Sequence, residues 1–520
     1  MWHSVALLLF IGLLTGGKVG PELLTVAEQS GFKATALHGE VVSLMDRLAE
    51  RSPLAVRSSL GETVEGRSIP LLGIADPPIR GAAEARESGK LIVFAFGSIH
   101  AGEICGKEAL LMLARDLLLF PDRPENRLFL SRCILVIAPV YNADGNDKVK
   151  VGQRRHQVGP ELGMGSRQNA QDLDLNRDWI KLESPEARAM VRFLTEWDPD
   201  LVIDTHTTNG SIHRYTLTFA APQNPSAHPG PWRFVRDEML PEVSERLMDR
   251  TGHRSFFYGD FDRSMTSWST YSSQPRFGCP NRGLRNHLSV LSEAYAYASF
   301  KERVEGTREF VRECCLFVAE SAPRIRSIRE LARKETIALG ERGGDEVGLR
   351  HSIAPFDGKV RVESQLMRQN EEGRSVPSGI PATFLVKHLG RFEPGLTVRR
   401  PRAYLVPTGL GDVVEKLRQH GIRVEQIEEA RTLTYEVLRV ESIRRSERPF
   451  QGHSQVTLDT SARVETGPVP SGWFRVPLAQ PLGTLALYLL EPESDDSLAT
   501  WNLLDPWLEE SSDYPILREL

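Results

Sequence analysis

Hydrophobic and polar positions change period several times along the chain. Residues 31–50 place Val41, Val42, Leu44, Met45 and Leu48 at helical spacing, which predicts an amphipathic helix. Two short runs, 56–61 and 69–74, read as strands joined by the turn at Glu65-Gly66-Arg67. Residues 91–96 (LIVFAF) and 134–140 (ILVIAPV) are continuous apolar runs, as in strands covered on both faces. Residues 109–120 predict a helix, and so do 183–197, with Pro185 near the start. Short strands are expected at 201–204, 215–220 and 288–292, followed by a long helix over 300–320. Strands alternating with helices predict an α/β fold with a mixed, mostly parallel twisted sheet flanked by helices.

The pattern shifts near 321–350, where 324–333 is basic and 340–344 reads as a loop. Beyond it, 403–406, 411–420 and 422–427 predict one β-α-β unit, and 432–441 and 454–459 predict strands. A chain of 520 residues exceeds one ordinary core. The division expected is a first domain over 20–325 and a smaller carboxy-terminal α+β domain over 326–520. At the amino end, the apolar run 5–14 precedes the small residues Thr15-Gly16-Gly17, which resembles a secretory signal over 1–19. That predicts a secreted or periplasmic, envelope-associated protein. A cytoplasmic protein with an apolar extension is the alternative, because His3 stands where a signal would carry Lys or Arg. The run is too short to span a bilayer, so no transmembrane span is expected.

Composition narrows the classes. Hydrophobic content of 40% and charged content of 26% fit a globular protein, and a net charge of −5 leaves no basic footprint for nucleic acid or an anionic membrane. The five cysteines (105, 133, 279, 314 and 315) are irregularly spaced and contain no CxxC. Neither a disulfide framework nor a cysteine-zinc cluster is expected, and Cys314 and Cys315 read as core thiols.

The candidate chemistry lies in three separated fragments. His100 and Glu103 follow the run 91–96, and on a helical turn their spacing puts both on one face. His206 trails the run 201–204. Strand ends of open α/β sheets are where sites form. Two imidazoles and a carboxylate suffice for one zinc with a position left open, the arrangement of a hydrolase. Singly, each residue also has a plain reading. His100 fits a loop histidine, Glu293 an edge-strand charge, and Arg177 a surface partner of Asp178. Asp172 and Asp174 fit caps of the segment that follows. The stretch Gly102–Glu108 lacks phosphate-loop spacing, and HExxH and GxSxG are absent.

The segment Arg167-Gln168-Asn169-Ala170-Gln171-Asp172-Leu173-Asp174-Leu175-Asn176-Arg177 has the form R-x-N-x-x-x-x-D-L-N-R, and Leu291-Ser292-Glu293-Ala294-Tyr295 follows later. With HxxE and a distant His in the same order over roughly 30–320, the chain resembles the zinc metallocarboxypeptidases of the carboxypeptidase A superfamily, bacterial branch. The resemblance implies one Zn2+ per chain on His100, Glu103 and His206, with Glu293 as general acid/base. It implies that Arg167 polarises the scissile carbonyl and that Asn176 and Arg177 grip the substrate's terminal carboxylate. Asp174 would orient His100, and Tyr271 would cap the substrate. The activity implied is hydrolysis of the C-terminal bond of peptides or proteins by a zinc-activated water. The alternatives are a zinc amidohydrolase acting on N-acyl amino acids or cell-wall peptides, and a non-catalytic zinc-retaining binding protein. Arg276 and Arg282 lie in the specificity stretch 255–285. Either one facing the pocket would select acidic termini, while surface exposure is the plainer expectation.

Overall fold

The computed structural model describes residues 19–208, 210–372 and 375–520; the signal-like run 5–14 and Thr15-Gly16-Gly17 lie outside the described residues. The first strands are β1 (Ala55–Glu62), β2 (Ser68–Ile74), β3 (Leu91–Gly97), β4 (Cys133–Ala138) and β5 (Leu201–Thr208). They are followed by β6 (Leu217–Ala220), β7 (Ser255–Phe257), β8 (Asp260–Phe261), β9 (Ser267–Ser269) and β10 (Leu288–Tyr295). Eight of these form one sheet in the order β1-β2-β4-β3-β5-β10-β6-β7. Its centre, β4-β3-β5-β10, is parallel, and antiparallel strands flank it.

The continuous apolar runs explain that centre. In β3, Leu91, Val93 and Ala95 face one core with helix Cys105–Leu119 and helix Phe300–Glu320. Ile92, Phe94 and Phe96 face a second core with helix Pro185–Trp197. Successive side chains of a strand point to opposite faces, so a strand covered on both sides needs an apolar residue at every position. Each such side chain contributes roughly 1.5–3 kcal/mol of burial. Ser184 caps its helix by accepting from the Ala187 N–H at 3.1 Å.

Helix Cys105–Leu119 lies close against β5. A Cβ at Gly106 would stand 1.9 Å from Thr205 Oγ1, so only glycine permits this approach. That contact sets where the turn between β3 and the helix meets β5.

A carboxy-terminal β-rich domain follows, with β11 (Glu346–Pro355), β12 (Val360–Gln369) and β13 (Ser375–Arg399) pairing antiparallel. A six-stranded sheet holds β14 (Ala403–Val406), β15 (Glu425–Gln426), β16 (Arg431–Arg445), β17 (Val456–Val469), β18 (Phe474–Pro477) and β19 (Leu517–Glu519). The expected β-α-β unit keeps its first strand and helix, but its second strand shrinks to β15 and pairs with β18 rather than β14. The loop expected at 340–344 is also corrected: helix Ala322–Arg342 runs through Gly340. That glycine marks close packing, because a Cβ there would meet Leu478 O at 2.0 Å. All five cysteines are free and buried. Among the described residues, no helix is long and apolar enough to cross a membrane.

Candidate metal centre and active site

The parallel strands deliver their site residues at their carboxyl ends. Past Gly97 the chain makes a tight turn, closed by the Glu103 N–H donating to His100 O at 2.9 Å. The helix begins only at Cys105, so His100 and Glu103 share a turn rather than a helix face. His206 lies on β5, which extends past the expected end at 204, and Glu293 stands opposite it in register on β10. The Glu103 carboxylate sits between the imidazoles, 3.0 Å from His100 Nδ1 and 2.9 Å from His206 Nδ1. All three residues are at most 4% exposed, and one ligand atom from each lies within 4.8 Å of the others.

Carboxylates back both rings. His100 Nε2 is 2.9 Å from Asp174 Oδ1, and His206 Nε2 is 2.9 Å from Asp204 Oδ1. The second approach has the distance of an ion pair without hydrogen-bond direction, since both atoms count as unpartnered. Arg282 supports Asp204 from below at 3.1 Å and also donates to Ser289 Oγ at 2.8 Å. Imidazoles that bind metal through one nitrogen usually direct the other at a carboxylate. Asp174 also accepts from the Asn176 N–H at 2.9 Å, so the capping reading and the backing reading hold together. Arg167 reaches Asp174 Oδ2 through Nε at 3.1 Å and Nη2 at 2.7 Å. The alternative partner of Arg177 is excluded: Asp178 accepts from Lys181 Nζ at 3.2 Å and from Ser184 Oγ at 2.7 Å.

The charged groups of the site shift one another's ionisation. Against burial, which raises it, His100 and Arg154 hold the Glu103 carboxyl well below the usual carboxylate range. Asp174 is likewise depressed by His100 and Arg167 against its burial. Against burial, Asp204 and Glu103 raise His206 well above an ordinary imidazole. Burial pushes Glu293 up to about 8, with His206 opposing and Glu103 adding to the shift. Glu293 Oε2 is buried without a hydrogen-bond partner. Arg154, Arg167 and Arg282 balance much of the acid charge, so the fit to a dication rests on the donor set, two imidazole nitrogens and one carboxylate oxygen converging in a buried pocket.

A cavity of about 170 Å³ opens on these groups and brings Arg167, Asn176, Arg177 and Tyr271 to its lining. The Arg177 guanidinium lies 3.9 Å over the Phe277 ring, and Asn176 Oδ1 accepts from the Gly278 N–H at 2.9 Å. Tyr271 packs between Tyr258 and Phe277, its hydroxyl buried beside the Cys279 thiol without hydrogen-bond geometry. Arg154 is a lining residue that sequence reasoning missed; it donates to Glu103 Oε1 at 2.8 Å and to Thr207 O at 2.7 Å. Arg276 and Arg282 are neither surface residues nor pocket residues. Both are buried, and Arg276 Nε donates to Asp496 Oδ1 of the carboxy-terminal domain at 2.8 Å.

With that geometry in place, similarity to known proteins can be weighed. Residues 41–230 match the zinc carboxypeptidase family. The chain carries a zinc carboxypeptidase domain. Carboxypeptidase 2 of Trichophyton rubrum is 23% identical over 501 residues, covering 91% of this chain and 85% of that protein. Human carboxypeptidase Z is 28% identical over 182 residues, 33% of this chain and 26% of that protein. A solved metallo-carboxypeptidase of Pseudomonas aeruginosa, in complex with (2-guanidinoethylmercapto)succinic acid, is 20% identical with a TM-score of 0.40, covering 54% of this chain and 69% of that one. The zinc carboxypeptidase family uses zinc, and the group formed by His100, Glu103 and His206 can hold it. Glu293 and Tyr271 lie beyond the matched residues. Asp204 was findable, since a residue two before His206 on a strand shares its face.

Proposed function

We propose that this chain is a zinc-dependent carboxypeptidase that hydrolyses the C-terminal peptide bond, with His100, Glu103 and His206 as ligands of one Zn2+. The observation that carries the reading is a single cavity. It holds this triad, a carboxyl at Glu293 whose Oε2 is buried without a hydrogen-bond partner, and a guanidinium with an amide at Arg177 and Asn176. Zinc bound there would acidify a water and polarise a carbonyl. The remaining steps belong to the chain. Glu293 takes the proton of the attacking water and passes it to the leaving amine. Arg167 faces the carbonyl oxygen as charge develops on it. Arg177 and Asn176 hold the free terminal carboxylate, for which a planar guanidinium offers two parallel hydrogen bonds. Asp174 keeps His100 oriented, and Tyr271 covers the substrate side chain.

Beyond the carboxylate grip the walls are Tyr258, Tyr271, Phe277, Cys279 and Leu291, none of them charged at neutral pH. With Arg276 and Arg282 committed elsewhere, this favours an uncharged, largely apolar C-terminal side chain. The domain division near 326 and export directed by residues 1–19 complete the reading; amino-terminal sequencing of protein recovered outside the cell tests the latter.

The experiment is a peptide panel varied at the last residue, run with zinc, after chelation and after zinc return. Cleavage of the last bond should vanish with the metal and come back with it. Amidating the peptide's terminal carboxylate should abolish cleavage; survival of activity on the amide would favour the amidohydrolase instead.

A further inference from the structure

The carboxy-terminal domain reaches the residues behind the metal centre. At the tip of one turn the Phe450 N–H donates to His453 O at 2.8 Å and the His453 N–H to Phe450 O at 3.1 Å. The two residues between them are left-handed, Gln451 with φ 51° and Gly452 with φ 82°. Two-residue turns of this kind favour Asn-Gly, Asp-Gly or Gly-Gly, because side chains rarely tolerate that backbone. Glutamine at the first position is therefore an anomaly that local geometry does not explain.

Its side chain does explain it. Gln451 Oε1 accepts from the backbone N–H of Asp174 at 2.8 Å, across 277 residues of sequence. The Asp174 carboxylate is occupied by His100, Arg167 and the Asn176 N–H. Among the described residues, Gln451 is the one acceptor given to its N–H. The turn itself is pinned: His453 Nε2 lies 2.7 Å from Glu183 Oε1 and Nδ1 lies 2.9 Å from Asn502 Oδ1. The same domain holds the opposite wall through Asp496, which accepts from both the Arg276 N–H and Nε at 2.8 Å. The two walls meet where the Gly278 N–H donates to Asn176 Oδ1.

We propose that Gln451 is a positioning residue of the metal centre, contributed by the carboxy-terminal domain, which fixes the Asp174 backbone and thereby the carboxylate behind His100. The proposal rests on the reading of His100 as a zinc ligand. It gives that domain a part in the reaction although none of its described residues lines the cavity.

The test uses the full-length zinc-loaded protein and two variants, Gln451→Gly and Gln451→Glu. Glycine suits the left-handed backbone and removes the acceptor; glutamate keeps an acceptor. Zinc affinity is read by competition with a chromogenic chelator, alongside kcat, KM and the thermal midpoint. Partners one shell out from a metal typically matter 10–100-fold, so Q451G, one step further out, should lose roughly three- to tenfold in zinc affinity. Its kcat should fall with it, at a nearly constant KM; relief of the left-handed backbone offsets the lost hydrogen bond, so the thermal midpoint should stay near the parent's. Q451E should stay within about twofold of the parent. A purely structural role predicts a Q451G protein with parental zinc affinity and kcat, and that result overturns the proposal. Equal losses in both variants also overturn it, because the acceptor would not be the operative group. If the parent cleaves no peptide but Q451G still loses zinc, the carboxypeptidase reading fails and this one stands.

Discussion

Two regions bury charge equally deeply and use it differently. Around the metal centre, Arg154 Nε, Asp204 Oδ1, His206 Nε2, the Tyr271 hydroxyl, Arg282 Nη1 and Glu293 Oε2 are all buried without a hydrogen-bond partner. In the carboxy-terminal domain, Arg329 Nε and Gln419 Oε1 are the two such atoms among the described residues. That domain is not short of buried ions: Arg518 Nε donates to Glu491 Oε1 at 2.8 Å and Nη1 to Glu436 Oε2 at 3.0 Å. Arg400 Nε likewise reaches Asp345 Oδ1 at 2.9 Å. Buried charge alone therefore does not distinguish a working site from a scaffold. Unused hydrogen-bonding capacity also occurs singly elsewhere in the first domain, at Glu108 Oε2, Arg115 Nε and Glu186 Oε1; its concentration around one cavity is what marks the site, because burying it is costly and persists where something else is to be bound.

Four measurements break or sharpen this contrast. The largest effect belongs to Glu293→Gln, which removes the proton carrier; kcat should fall about 10²–10⁴-fold with zinc content intact, as read by peptide hydrolysis and metal analysis. Arg518→Met is the counterpart in the scaffold. It leaves Glu491 buried and unpaired and should cost about 3–5 kcal/mol of stability in denaturant titrations, with kcat of the folded fraction unchanged. A parental stability there would erase the contrast from the scaffold side. Arg177→Met should lose the carboxylate grip, about 1.5–3 kcal/mol or roughly 10- to 150-fold in kcat/KM on peptides with a free terminal carboxylate, as read by peptide hydrolysis. The smallest effect is one of pH and favours neither region. Burial depresses His213 to about 3 and His388 to about 4. Both stay neutral in the folded state while the unfolded chain takes up protons near 6.5, so stability is full above that value and falls as pH drops toward 4. Between pH 7 and 6 the loss is about 0.7 kcal/mol per histidine, and His388→Gln should remove one share.

What the sequence disclosed follows from the same physics. The strand β3 was legible because a strand covered on both faces is apolar at every position, and β5 and β10 showed through their mainly apolar starts at 201–203 and 288–291; His100, Glu103, His206 and Glu293 lie near the carboxyl ends of these three strands. The antiparallel ribbon of β12 and β13 was not, because it is exposed on much of both faces: Leu366, Met367, Ile380 and Leu385 are all open to solvent. Only a few of its side chains, such as Val362 and Val386, reach a core, which is too few to leave a sustained period. Helix Ala322–Arg342 was hidden by a glycine needed for packing, which imitates a break. Arg154 and Gln451 gave no local signal, since their partners lie 51 and 277 residues away. Composition near either residue does not report such distances.

The pairing of His206 with Glu293 across neighbouring parallel strands carries one more consequence. The spacing between a metal ligand and the proton carrier is written into a backbone ladder, not into the choice of a rotamer. Deleting one residue from either strand would leave its apolar content almost intact but transfer one of the two side chains to the far face of the sheet. Such a change would separate the metal ligand from the proton carrier and turn buried polar residues such as Asp204 toward an apolar core. The other ligands and the carboxylate grip, His100, Glu103 and Arg177, hang instead on turns, so the proton carrier is the part of this chemistry whose distance the sheet itself meters.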